Sequence, residues 1–205
     1  MSTYANGVFI NVPFDRRYKK LFDALVFAVH DCGFVPRCAK EAGDSSQIRI
    51  EKLYQIIEQC RFGIHDLSRT TPDTRNRLPR FNMPLELGFF LGAKRYGSPK
   101  QRRKSCLVLE RDPYRYQIFC SDLAGQDIRA HNNRVEDAIV GVRDWLREAR
   151  SGSNQIPGGR RIAERYVNFR RDLPRMSRAA GLEMRELAFL DYRTMIIGWL
   201  KENEW

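Results

Sequence analysis

Short, almost wholly apolar runs alternate with longer segments of helical period through the first two-thirds of this chain. Val8-Phe9-Ile10-Asn11-Val12, bounded by Gly7 and Pro13, suits a strand buried on both faces. After it Tyr18, Leu21, Phe22, Leu25, Ala28 and Val29 recur at helical spacing. The pattern then repeats: a second strand from Phe34 to Cys38, a helix carrying Ile48, Ile50, Leu53, Ile56, Ile57 and Cys60, and a third strand, Phe62-Gly63-Ile64-His65-Asp66. An apolar helix around Glu86 leads to a fourth strand, Cys106-Leu107-Val108-Leu109-Glu110. A shorter strand near Asp127-Ile128-Arg129 precedes a helix with Val135, Ala138, Ile139, Val142, Trp145 and Leu146 on one face. Such alternation predicts an α/β fold with an open, mostly parallel sheet of about five strands, helices on both faces and right-handed crossovers.

The 205 residues suffice for one main domain with an appendage. Beyond Ala149 the chain changes character, since Ser151-Gly152-Ser153-Asn154-Gln155-Ile156-Pro157-Gly158-Gly159 has the composition of a linker. The expected division is an α/β domain over 1–150, a linker over 151–160 and a helical extension over 161–205. That extension reads as a hairpin, about Arg161 to Arg178 and Leu182 to Asn203, broken at Gly181. Leu187, Phe189, Leu190, Met195, Ile196, Ile197, Trp199 and Leu200 make its second helix too apolar to stand uncovered. Self-association through this hairpin is expected, with docking on the parent domain as the alternative.

Ligands of open α/β sheets lie beyond the carboxyl ends of the strands. The residues expected there are Asn11, Phe14 and Asp15 after the first strand, Arg37 after the second, and Asp66 and Ser68 after the third. The loop from Arg69 to Phe81 has no apolar periodicity, and loops of this length are commonly binding loops or lids. It delivers the chain to Arg80-Phe81-Asn82-Met83-Pro84-Leu85-Glu86-Leu87-Gly88-Phe89-Phe90-Leu91-Gly92. Asn82 is the expected N-cap and Pro84 fits only an opening turn, so Glu86 is expected near the positive end of the helix dipole, ionised and with its pKa lowered.

Lys and Arg outnumber Asp and Glu by 36 to 25. Between Arg69 and Lys104 ten basic residues face two acids, so a net +8 of the total +11 surrounds the Glu86 helix. Such a field attracts phosphates of a small nucleotide, a polynucleotide or an acidic protein surface. Nucleic-acid binding is not expected, because no helix-turn-helix, finger or RNP-like motif accompanies the charge. Cys32, Cys38, Cys60, Cys106 and Cys120 are scattered without a Cys-x-x-Cys pair and read as core thiols of a reducing compartment. His30, His65 and His131 lack metal-ligand spacing, so no metal is expected. The first residues form no secretory leader, and no apolar run approaches the roughly eighteen residues that span a bilayer. A cytoplasmic location with no membrane partner is expected.

The Arg80–Gly92 run, preceded by Thr70-Thr71-Pro72-Asp73 and followed by Ser121-Asp122-Leu123-Ala124-Gly125, resembles prokaryotic TIR-like nucleotide-binding domains and the related nucleoside 2-deoxyribosyltransferases. The resemblance covers roughly Val8 to His131 and implies a flavodoxin/TIR-like sheet. It further implies that Glu86 is the residue essential for cleaving an N-glycosidic bond, as a nucleophile in the transferases and as a stabiliser or trap of the ribosyl cation in the NAD hydrolases. It offers Phe9 or Phe14 as the aromatic residue near the end of the first strand, and Asp66 as the acid that contacts the sugar. Asn82-Met83-Pro84 departs from the Trp-Cys pattern of many TIR hydrolases. The basic loop departs from the acid-bearing loop of the transferases and suits a phosphorylated ligand better than a plain nucleoside.

Loss of nicotinamide from NAD builds positive charge on the ribose, which an adjacent carboxylate stabilises more in the transition state than in the ground state. On this reading NAD is substrate and no cofactor is needed, Glu86 is catalytic, Asp66 orients the ribose, and Arg37, Arg77 or Arg80 holds the pyrophosphate, with Asn11, Phe14, Asp15, Ser68 and Asn82 around the ligand. The expected function is an N-ribosyl hydrolase of the NAD(P) glycohydrolase class, in a bacterial defence or signalling role. Two alternatives stand beside it: a nucleoside or nucleotide 2-deoxyribosyltransferase or hydrolase, and a non-catalytic module that senses a nucleotide or binds a partner protein.

Overall fold

A computed structural model of the chain describes residues 3–41, 46–69, 72, 77–79, 81–149 and 156–205. After a single turn, α1 (Thr3–Asn6), the order is β1 (Gly7–Asn11), α2 (Lys19–Asp31), β2 (Val35–Arg37), α3 (Arg49–Glu58), β3 (Phe62–Asp66), α4 (Asn82–Tyr96), β4 (Ser105–Glu110), β5 (Arg129–Ala130), α5 (Val135–Ala149), α6 (Gly159–Ala179) and α7 (Phe189–Glu202). All strand pairs are parallel, in the order β2-β1-β3-β4-β5. The two central strands, β1 and β3, are buried along their whole length, which is why their sequences are apolar without alternation. The strand order reverses direction between β1 and β3, which is where open α/β sheets place their ligands, at the carboxyl ends of the strands.

Alternate residues of each strand face opposite helical layers. Val8 and Ile10 of β1, with Phe62 and Ile64 of β3, meet α2 and α5. Phe9 turns the other way, into a smaller cluster with Leu53, Ile56, Ile57 and Phe90 from α3 and α4. Hence α2 and α5 cover one face while α3 and α4 cover the other.

The C-terminal helices add a second layer over α2. The Phe169 ring of α6, fully buried, stacks on Phe27 of α2 with centroids 5.2 Å apart and meets Trp199 of α7 at 5.9 Å. Arg165 reaches both carboxylate oxygens of the buried Asp31 at 3.0–3.3 Å, and Arg170 reaches Asp23 at 3.1 Å. Of the apolar residues in the tail, Phe189, Met195, Ile196 and Trp199 are buried, whereas Leu190 and Ile197 stay exposed. Docking on the parent domain therefore occupies most of the surface that suggested self-association. α7 starts at Phe189, seven residues later than the expected Leu182, and α6 begins already at Gly159. The end of the expected linker is also tied down: Arg143 of α5 donates to the carbonyls of Ile156 and Pro157 at 2.7 and 2.6 Å. Among the described residues no helix is long and apolar enough to cross a membrane.

Candidate active site at the switch point

Between the carboxyl ends of β1 and β3, α4 begins against the sheet. The Asn11 side chain, at the last residue of β1 and 2% exposed, donates from Nδ2 to the Met83 carbonyl at 2.9 Å, which ties the first turn of α4 to the sheet. The same amide nitrogen lies 3.1 Å from Nδ1 of the fully buried His65. An acceptor at Nδ1 assigns the ring proton to Nε2, and burial lowers the imidazole pKa to about 3, with the Lys104 charge adding to the effect. His65 is thus a neutral spacer wedged edge-on against Phe9 and Phe90, at centroid distances of 5.8 and 5.0 Å. Its ring rides over Gly63, where an added Cβ would meet Nε2 at 2.7 Å and Phe90 Cε2 at 2.8 Å. Asn11 Oδ1 and His65 Nε2 are buried without hydrogen-bond partners among the described residues.

One turn beyond Met83 stands Glu86, 5% exposed, with no hydrogen bond or ion pair among the described residues. Burial pushes its carboxyl up to about 7, and the Arg49 guanidinium at the start of α3 is the charge that opposes the rise. This reverses the expected direction. Helix α4 starts at Asn82 with Phe81 in the cap position and no side-chain cap, so Glu86 is its fifth residue, beyond the first turn in which the dipole acts strongly. Desolvation outweighs what remains of that field. Asn82, expected as the cap, is exposed in the first turn, and Pro84 lies in that same turn, where its missing N–H is harmless.

Asp66 lies on the α2 side of β3 and is fully buried. Its Oδ2 accepts from the Tyr18 hydroxyl at 2.5 Å and its Oδ1 from the Ser68 amide at 2.8 Å. His131, just after β5, brings Nε2 to 3.0 Å from Asp66 Oδ2, but off the axis of a hydrogen bond. The His131 Nδ1 accepts from the Asn133 amide at 3.0 Å. Burial and the adjacent carboxylate hold the Tyr18 phenol well above its ordinary pKa, so it remains a proton donor to Asp66. This arrangement locks the ends of β3 and β5 to the start of α2 and leaves Asp66 facing inward.

The remaining expected ligand residues are divided in their placement. Asp15 closes the turn that leads into α2, accepting from the Arg17 and Tyr18 amides at 2.9 and 3.0 Å, and pairs with Arg69 at 3.1 Å. Phe14 is half-buried at the rim, 5.3 Å from Phe22, with Lys40 Nζ 4.7 Å from its ring centre. Phe9, the other aromatic candidate, is enclosed. Arg37 binds Glu41 and Gln59. Ser68 is buried, and its carbonyl accepts from Arg115 at 2.6 Å. Arg77 is exposed with φ +56°, a left-handed conformation uncommon for a side-chain-bearing residue. Arg80, like Thr70, Thr71 and Asp73, lies outside the described residues.

Sequence reading missed His65, Tyr18, His131 and Arg49 as parts of this region. A polar ring in the middle of a strand buried on both faces was a usable signal for His65. His131 was weighed only as a metal ligand, although its place after the last strand puts it on the same rim. Arg49 carries no local signature, since only folding brings it toward Glu86. The described residues contain no cluster of three or more His, Cys, Asp or Glu side chains able to hold a metal, and all five cysteines are free thiols. No family model matches the chain, and no curated protein is significantly similar to it.

Proposed function

We propose that the protein hydrolyses the N-ribosyl bond of a nucleotide, with NAD as the substrate and Glu86 as the catalytic carboxylate. One observation carries the reading: a nearly enclosed carboxyl, unpaired among the described residues, stands at the switch point where an open α/β sheet of this order binds its ligand. Its raised pKa is consistent with this role. A desolvated carboxylate is stabilised when a cation approaches, and both the pyridinium of NAD and the ribosyl cation formed on its loss are positive. Ionisation is then favoured most where charge is greatest, in the transition state. Nicotinamide leaves without protonation, so one carboxylate suffices. The resemblance of the Glu86 segment to TIR-like domains supports the same assignment. On this reading Asn11 and Phe14 border the ligand, Asp66 fixes the sugar side of the site, and any oligomer forms through what the C-terminal helices leave exposed.

The raised pKa also favours a second reading. A protonated Glu86 could donate to the departing base of a nucleoside or deoxynucleoside, whose neutral base leaves poorly without a proton. The sign of the pH dependence separates the two. Incubation with NAD should release nicotinamide with kcat/KM rising through about pH 7 as Glu86 ionises. Base release from deoxynucleosides with kcat/KM falling over the same interval would favour the second reading, and no release from either would leave a binding module.

A further inference from the structure

A separate cavity of about 890 Å³ lies along the opposite border of the sheet. It touches four consecutive residues of β4, Ser105 to Val108, because β5 pairs only with Leu109 and Glu110. The chain enters β5 through a tight turn in which the Ile128 amide bonds the Gln126 carbonyl, so on this side, away from β3, no described strand pairs with the first four residues of β4. The Ser105 amide and the Leu109 carbonyl bond the β3 side, at Arg61 and Leu67 respectively. Cys106 therefore directs both its backbone groups, and Val108 its amide, outward toward the cavity, while the Val108 carbonyl faces the start of β5. Leu91 of α4 and Trp145 of α5 wall it on its two sides. Lys94, Arg95 and Arg102 line it without a carboxylate partner among the described residues, against one unpaired acid, Asp127. Arg129 is already engaged, by the Gly141 carbonyl at 3.1 Å and Glu148 at 3.6 Å.

We infer that this open edge of β4 is a docking site for an acidic peptide segment of another protein, bound in extended conformation as an added strand beside Ser105–Val108. Outward backbone groups supply main-chain recognition and the three cations select acidic side chains. A second copy of this chain is the wrong occupant, because it would bring like charges together. Single-stranded nucleic acid would require exposed rings for stacking, whereas Trp145 is 7% exposed and its indole N–H faces Ser105 Oγ at 3.3 Å.

The full-length protein would be titrated into a fluorescein-labelled Asp-Val-Glu-Val-Glu-Val peptide, the same peptide N-methylated at alternate residues, and labelled oligo-dT. Saturable binding of the first is expected, weakened about tenfold or more by N-methylation and by Lys94→Glu with Arg102→Glu, together with slowed hydrogen exchange at the Cys106 and Val108 amides. Four results would overturn the proposal: no saturable binding, equal binding of the N-methylated peptide, tighter binding of oligo-dT than of peptide, or a dimer that the charge reversals dissociate.

Discussion

On the side of the sheet covered by α2, α5, α6 and α7, two buried carboxylates have cations against them: Asp31 meets Arg165, and Asp23 meets Lys19 and Arg170, while Asp66 is held by the Tyr18 hydroxyl and the Ser68 amide. On the side covered by α3 and α4, Glu110 pairs with Arg115, but Glu86 has no such partner among the described residues. Buried polar atoms without a partner among the described residues occur on both sides, His30 Nε2 and Arg193 Nε on the first and Asn11 Oδ1 and His65 Nε2 on the second. The first side is also the thicker, with Phe27, Phe169, Tyr192 and Trp199 interlocked, while the second rests on a small cluster around Phe9 and Phe90. Paired polar groups and deep aromatic packing hold a fold together. Unpaired groups beside a crevice cost stability and are retained where a ligand can use them. The comparison sets the deeper aromatic packing on one face and the carboxyl proposed for catalysis on the other, and each can be tested separately.

The largest effect expected is catalytic. Glu86→Gln keeps size and polarity but not charge, so turnover of NAD should fall by at least about a thousandfold, roughly 4 kcal/mol of transition-state stabilisation, with an unchanged circular dichroism spectrum. Undiminished release of nicotinamide by this variant would remove Glu86 from the mechanism. On the opposite face the expected loss is thermodynamic: Phe169→Ala should cost about 3–5 kcal/mol of unfolding free energy, while kcat of the folded fraction stays within about twofold. A variant as stable as the parent in urea would show that the outer helices contribute little to the core.

A smaller destabilisation is expected from Gly63→Ala. The new methyl has no room beside His65 Nε2 and Phe90, and overpacking of this kind costs about 1–3 kcal/mol. Because the displaced ring also carries the contact to Asn11, catalysis should fall together with thermal stability. Wild-type kinetics in this variant would separate His65 from the site.

Glu86 also predicts a pH effect with a definite sign. Its folded pKa, about 7, is raised above the ordinary 4.5, so the folded state holds the proton more tightly than the unfolded chain does. The stability attached to that proton is fully present below about pH 4.5 and is lost as pH rises through about 7. Gln has no proton to lose. The melting temperature of Glu86→Gln should therefore gain on the parent between pH 5 and 8, by about 1–3 kcal/mol in free energy, when both are followed by calorimetry. A constant difference across that range would mean that the carboxylate finds a partner in solution.

The architecture was readable because hydrophobic period and strand burial are local properties. Phe62–Asp66 was placed to the residue, and β1 and β4 to within one. The tail was harder: a helix too apolar for solvent announces that it is covered, but not by what, and only the placement of Phe27, Asp23 and Asp31 on the outer side of α2 answers that. At Glu86 the position in the helix was legible, but the electrostatics were misread. Position in a helix is written in the sequence, so Glu86 stood out, whereas the depth of its burial depends on α3 and the strands beneath it. The same holds for Arg37, which is the last residue of β2 rather than beyond it, and whose engagement with Glu41 was not foreseen.

The smallest effect expected tests that electrostatic balance. Arg49 is the charge that draws the Glu86 pKa down against burial, and it does so across the gap between the starts of α3 and α4. Arg49→Gln removes the charge and keeps the polarity, so the ascending limb of the kcat/KM profile for NAD should move to higher pH, above 7, with little change in the plateau. A like movement in the Glu86 titration, followed by carbon NMR of the free protein, would attribute the shift to the carboxyl itself. If instead the profile stays in place while KM rises, Arg49 belongs to the phosphate-binding side of the site. The poise of Glu86 would then rest on burial alone.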